Sequence, residues 1–115
     1  MLWGGIGTEV NPQNAFVWYQ KAAEQGNVEA QLKVAKCYKE GFGINVNPKI
    51  AFEWYLKAGN DGKTEAQLEL VDYYEKGFGT EVNAQKTYEW LKKAVDQGDI
   101  EAQIKLAQCY EKGID

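Results

Sequence analysis

The apolar residues of this chain fall at helical spacing in two alternating registers. Ala15, Phe16, Trp18, Tyr19, Ala22 and Ala23 form one stripe, too wide for a single neighbour, so the helix carrying it is expected to be sandwiched between others. Ala30, Val34, Ala35 and Tyr38 form a second stripe, in which small residues allow close approach and tyrosine fills the far end. Both return. The second reappears as Ala66, Leu70, Val71 and Tyr74, then as Ala102, Leu106, Ala107 and Tyr110; the first is marked by Trp18, Trp54 and Trp90 and by Ala22, Ala58 and Ala94. The interval is 36 residues throughout, with no gap to adjust, so the chain is an internal repeat of helix pairs in phases 11–46, 47–82 and 83–115.

The helix boundaries repeat as well. Asn11-Pro12 and Asn47-Pro48 predict helix starts, since asparagine accepts from free first-turn amides and proline at the first helical position has no donor to lose. The third copy keeps Asn83 but has Ala84 in place of proline. Gly26, Gly62 and Gly98 end these helices. Asn27 and Asp99 start the next ones, and in the middle copy, where Lys63 replaces the cap, Thr64 is expected to cap one residue later. Glu29, Glu65 and Glu101 then stand at the positive end of the helix dipole. Gly41-Phe42-Gly43 ends the second helix and turns the chain, as do Gly77 and Gly113 in the later copies. Residues 1–10 align with 37–46, Gly5, Gly7 and Val10 matching Gly41, Gly43 and Val46, so the chain opens on the tail of a preceding unit. Ala23 and Ala35, Gly59 and Val71, and Val95 and Ala107 share one interval; they are expected to face each other across each hairpin, with Gly59 making room for Val71.

Composition narrows the class. At 115 residues and 44% hydrophobic content the chain can bury a core, and it has no apolar run long enough to span a membrane. The net charge of −4 is interleaved, with no cationic stripe to follow a phosphate backbone, so nucleic acid is not an expected partner. Histidine is absent, which removes the commonest general base and metal ligand. Cys37 and Cys109 lie two repeats apart. At a stacking step of ~8–10 Å their sulfurs are roughly 20 Å apart, beyond the ~4.4–6.8 Å Cα separation of a disulfide. They read as small buried hydrophobes, with a lean towards a reducing, cytoplasmic compartment. Met1-Leu2-Trp3-Gly4 lacks the basic start and apolar core of a secretion signal.

The repeat resembles the Sel1-like repeat, a relative of the tetratricopeptide repeat with a longer connecting loop. The family's first-helix series falls on Ala30, Val34, Ala35, Tyr38 and Gly41, and its second-helix series on Asn11, Ala15, Trp18-Tyr19 and Lys21-Ala22-Ala23. Asn replaces the acidic cap, Ala35, Val71 and Ala107 replace glycine, and Thr87 and Leu91 depart in the last copy. The resemblance implies an all-α, right-handed α/α superhelical solenoid. It also implies an excerpt of a longer array, or ends covered by self-association, because about three repeats are the minimum for stability and natural ends are polar caps.

No catalytic or cofactor-binding arrangement emerges. Gly41-Phe42-Gly43 precedes a loop rather than a phosphate-cradling helix start. The carboxylates recur as helix-end charges do, and two separated thiols without histidine cannot complete a four-ligand zinc site. The periodic tryptophans and tyrosines read as core. Trp3, which corresponds to Lys39 and Glu75, reads as an uncovered contact.

By similarity to tetratricopeptide grooves, a concave face lined by the first family helix of each unit would hold a protein or peptide partner. Its residues are Glu29, Leu32, Lys36 and Lys39; Glu65, Leu68, Asp72 and Glu75; and Glu101, Ile104, Gln108 and Glu111. With Glu40, Lys76 and Lys112 added, the charges sum to zero, −2 and −1 along the three units, favouring an apolar partner segment with basic residues. The row Leu32, Leu68 and Ile104 reads either as core or as the floor of the groove. The expected function is a non-enzymatic interaction scaffold or adaptor, as family members are in signalling and protein quality control. Two other readings stand: a spacer fused to a catalytic domain such as a protein kinase, and a hydrolytic or small-molecule-binding repeat. Cysteine-rich relatives of the last kind carry paired cysteines within each repeat, whereas this chain has at most one.

Overall fold

Six helices of 13 residues each run through the computed structural model, which describes residues 9–113. They are α1 (Pro12–Glu24), α2 (Val28–Glu40), α3 (Pro48–Asn60), α4 (Thr64–Lys76), α5 (Ala84–Asp96) and α6 (Ile100–Lys112). Each packs on the next, and the stack is elongated, 53 × 27 × 25 Å. Met1-Leu2-Trp3-Gly4, Gly5, Ile6 and Gly7 lie outside the described residues.

The caps explain why the helices start where they do. Asn11, Asn47 and Asn83 accept from the amides of Asn14, Ile50 and Lys86, and Asn27 and Asp99 from those of Ala30 and Ala102. The middle copy differs from expectation. Lys63 is the N-cap and makes no side-chain cap bond, while Thr64 is already the first helical residue and its Oγ1 donates to Gln97 Oε1 at 2.9 Å. Thr64 therefore ties α4 to the end of α5 and does not cap its own helix.

The longer loops are held by one device, used twice. The amides of Asn47 and Asn83 donate to the carbonyls of Tyr38 and Tyr74 at 2.8 and 2.9 Å, binding the start of one helix to the end of the one before. A Cβ at Gly43 or Gly79 would stand 2.2 or 2.3 Å from the carbonyl oxygen of Pro12 or Pro48, so only glycine lets this loop lie across the start of the preceding odd-numbered helix.

Within each hairpin the same aromatic pair meets edge to face: Phe16 with Tyr38, Phe52 with Tyr74, and Tyr88 with Tyr110. Between hairpins the tryptophans reach backwards. A Cβ at Gly59 would meet Leu70 Cδ1 at 2.9 Å and the Trp90 ring at 3.2 and 3.5 Å. Gly59 thus makes room for Leu70 and Trp90, which corrects the expected pairing with Val71. Trp54 packs in the same way on the cluster containing Ala23, the residue one repeat before Gly59. The periodic tryptophans are consequently not core alike: Trp90 is 6% exposed and Trp54 half-buried, whereas Trp18 is 67% exposed because no described helix precedes α1. Tyr110, at the other end, is also exposed. Cys37 is a buried free thiol, its pKa raised by burial, and Cys109 is free and half-buried.

A polar clamp centred on the buried Gln67 joins α3, α4 and the end of α5. Gln67 Nε2 donates to the Gly59 carbonyl at 3.0 Å, and Gln67 Oε1 accepts from Gln97 Nε2 at 2.6 Å. One repeat earlier Gln31 is buried with Oε1 unpartnered, and the position of Gln97 is taken by Asp61, a carboxylate that has no amide to donate. Tyr55, wholly buried, has a hydroxyl without a partner, and burial drives its pKa upwards.

Three stability measurements check this packing. Gly59→Val is expected to lower stability by ~1–3 kcal/mol through overpacking; an unchanged denaturation midpoint would refute the contact. Tyr55→Phe, which removes an unsatisfied buried hydroxyl where the next repeat has Leu91, should leave stability unchanged or raise it by about 1 kcal/mol; a loss of that size would show that the hydroxyl is satisfied. Gln97→Ala should cost ~1–3 kcal/mol by stranding Gln67, whereas Asp61→Ala should cost less than half as much. Equal costs in urea melts would rule out the clamp.

Candidate functional site

Helices α2, α4 and α6 lie side by side, because ion pairs run directly between them. Lys36 Nζ meets Glu65 Oε2 at 2.6 Å and Lys39 Nζ meets Glu69 Oε1 at 2.9 Å, both from α2 to α4. Lys63, at the head of α4, meets Glu29 Oε1 of α2 at 2.7 Å. Lys105 of α6 meets Glu75 Oε1 of α4 at 3.1 Å. The bonds leave their mark on the titration of the partners: the hydrogen bond from Lys63 holds the Glu29 carboxyl below its ordinary range, and the bond to Glu65 raises the Lys36 ammonium. All these pairs are partly exposed, so solvent screens them and they contribute more to register than to stability.

Much of the charge expected to face a partner is therefore engaged by the neighbouring helix. Glu29, Lys36, Lys39, Glu65 and Glu75 are all paired across a junction. Leu32 is 1% exposed and sits in the main core with residues of α3 and α4, so the reading of Leu32 as groove floor is corrected to core. The row changes character along the chain: Leu68 is half-buried and Ile104 is 56% exposed. Glu111 is exposed and lines neither groove described below.

Five of the expected residues do come together. Leu68 and Asp72 of α4 and Glu101, Ile104 and Gln108 of α6 line a groove of about 340 Å³ between the two helices, with Val71 and Lys105 completing it. A second groove, of about 410 Å³, lies between the end of α2 and α4. Val46, Pro48, Tyr73 and Phe78 give it an apolar lining; Lys39, Glu69, Asp72 and Lys76 are its charged members. Asp72 lines both grooves, which therefore adjoin at α4 as a track of two neighbouring pockets. Tyr73, packed on Phe52, Tyr55 and Phe78, has its pKa pushed up to about 12, chiefly by burial.

Two apolar residues of the second groove, Val46 and Phe78, were missed because they belong to the loops. Their signal was present: Val10, Val46 and Val82 recur at one place in the loop, and all three are exposed, as are Phe42 and Phe78. The pairs of Glu69 and Lys105 were also missed, since a charge swap between repeats shows only once the helices are juxtaposed. Among the described residues no group of His, Cys, Asp and Glu could hold a metal ion, and no helix is long and apolar enough to cross a membrane.

Comparison with known proteins agrees with this architecture. The chain matches a solved Sel1 repeat protein from Oxalobacter formigenes with a TM-score of 0.89 and 34% identity, over 95% of this chain and 45% of that one. It matches c5321, a protective antigen present in uropathogenic Escherichia coli strains displaying an SLR fold, with a TM-score of 0.84 and 30% identity, over 89% of this chain and 22% of that one. The chain thus spans less than half the length of either relative. Helicobacter pylori cysteine rich protein B shares the fold, with a TM-score of 0.76 and 22% identity over 81% of this chain and 70% of that one. No curated protein matches the chain. The family model for the Sel1 repeat matches residues 1–27, 28–63, 64–99 and 100–115, and the chain belongs to the Sel1 repeat family.

Proposed function

We propose that this chain is a protein-interaction module that holds a segment of another protein along the track formed by α2, α4 and α6. The observation that carries this reading is the pair of adjoining grooves that share Asp72, with Leu68 and Ile104 in one and Val46, Pro48 and Phe78 in the other. Exposed apolar side chains gathered in a concave, charge-rimmed strip are what an amphipathic partner buries. Proteins of the Sel1 repeat family typically bind other proteins, which supports the same reading. The track lies on helices held by the apolar core that runs through the stacked hairpins, so a partner meets a surface that is largely ordered beforehand, which lowers the entropic cost of association.

The test is affinity capture with the wild type beside a Leu68→Gln, Ile104→Gln double variant. Leu32 is left intact because it is core, and Ile104→Gln alone should shift stability by about 0.5 kcal/mol or less. The expected result is that partners held by the wild type are lost by the double variant while its helical content and melting curve persist. Equal recovery of every partner by both proteins would remove the track from the function.

A further inference from the structure

The two junctions between neighbouring track helices are built on the same register but carry different charges. At the first, Lys36 of α2 and Glu65 of α4 close the groove with an ion pair, and Lys63 and Glu29 close it again nearer the helix starts. One repeat later Lys36 becomes Asp72 and Glu65 becomes Glu101; Glu29 becomes Glu65 and Lys63 becomes Asp99. At both closing positions two acids thus stand where the first junction has a lysine and a glutamate. Only the third pair survives, with its signs exchanged: Lys39 and Glu69 at the first junction, Glu75 and Lys105 at the second.

The packing beneath differs as well. Leu32, under the first junction, is buried, while Leu68, its equivalent under the second, is half-buried and lines an open groove with Ile104. Among the described residues neither Asp72 nor Glu101 pairs with a cation, and the one lysine in the groove, Lys105, already serves Glu75.

We infer that the groove between α4 and α6 receives a lysine or arginine side chain from a partner protein, placed between Asp72 and Glu101 as the Lys36 ammonium is placed on Glu65, with a neighbouring apolar side chain of the partner on Leu68 and Ile104. The inference rests on the interaction reading above and names the partner's chemistry. The first junction serves as the template, showing how a cation in this register closes the groove. Two carboxylates that line the groove without a counter-cation make a basic residue its complementary occupant.

Selection from a random peptide library displayed on phage, run in parallel on the wild-type chain and on Asp72→Lys, tests it. Asp72→Lys restores the Lys36 arrangement in the second junction and so should fold and melt no lower than the wild type. The wild type is expected to enrich peptides with a lysine or arginine beside an apolar residue, and Asp72→Lys to lose them. In an enriched peptide, replacing that basic residue by norleucine should weaken binding about tenfold, the weight of ~1.4 kcal/mol, and Glu101→Gln should weaken it in the same direction. Enriched peptides without a basic residue, or the same peptides on both proteins, would overturn the inference while leaving the interaction reading standing. No enrichment on either protein would overturn both. A wild type that dimerises where Asp72→Lys does not would assign the groove to a second copy and likewise overturn it.

Discussion

Trp90 lies against Gly59, and Trp54 against the cluster around Ala23; through these contacts each hairpin covers the wall its predecessor leaves open. A single hairpin here has an aromatic pair inside it and an apolar face outside it, and the outer face is stable only when another hairpin lies on it. The burial gradients follow from this. Tryptophans on the odd-numbered helices reach back, so they are covered progressively from Trp18 to Trp90; the leucine row on the even-numbered helices is covered from in front, so burial falls from Leu32 to Ile104. The two gradients run in opposite directions because stacking has a direction.

Polar contacts then fix how far each hairpin slides and rotates on the last. The Gln67 and Gln97 clamp and the ladder of ion pairs cross the same junctions as the aromatic packing, and they differ between junctions in a way the apolar contacts do not. The order of the hairpins is set by the chain itself, through the loops 41–47 and 77–83 that join them. Charge and amide complementarity particular to each junction favours one offset and rotation of each hairpin on the last.

Period, helix starts and helix ends were legible in the sequence because they depend on local chemistry: asparagine, proline and glycine at fixed offsets act within one turn. What the sequence concealed depends on juxtaposition. Thr64 looks like a cap until Gln97 is placed beside it, and Gly59 looks like space for Val71 until Trp90 arrives from the next unit. Lys36, Lys39 and Glu29 look like a solvated binding face until the following helix supplies their counter-charges. Periodicity assigns each residue to a face of its own helix, but the neighbouring helix decides whether that face remains free. The same limit explains why the apolar loop residues Val46 and Phe78 enter the site only in three dimensions.

A repeat array that binds another chain must keep part of its surface unsatisfied while satisfying enough to stack. Under the proposed binding role, the two demands are met at different junctions. Between α2 and α4 three ion pairs cross the seam and the leucine beneath is sealed; between α4 and α6 one ion pair crosses and the groove stays open. The single remaining pair of Glu75 with Lys105 is enough to keep the helices in register, since the helix pairs α4 with α5 and α5 with α6 carry the apolar packing. Under that role, recognition is altered by changing the signs of two surface residues without touching the core, and charge at the seams is the variable by which otherwise similar repeats would differ in what they hold.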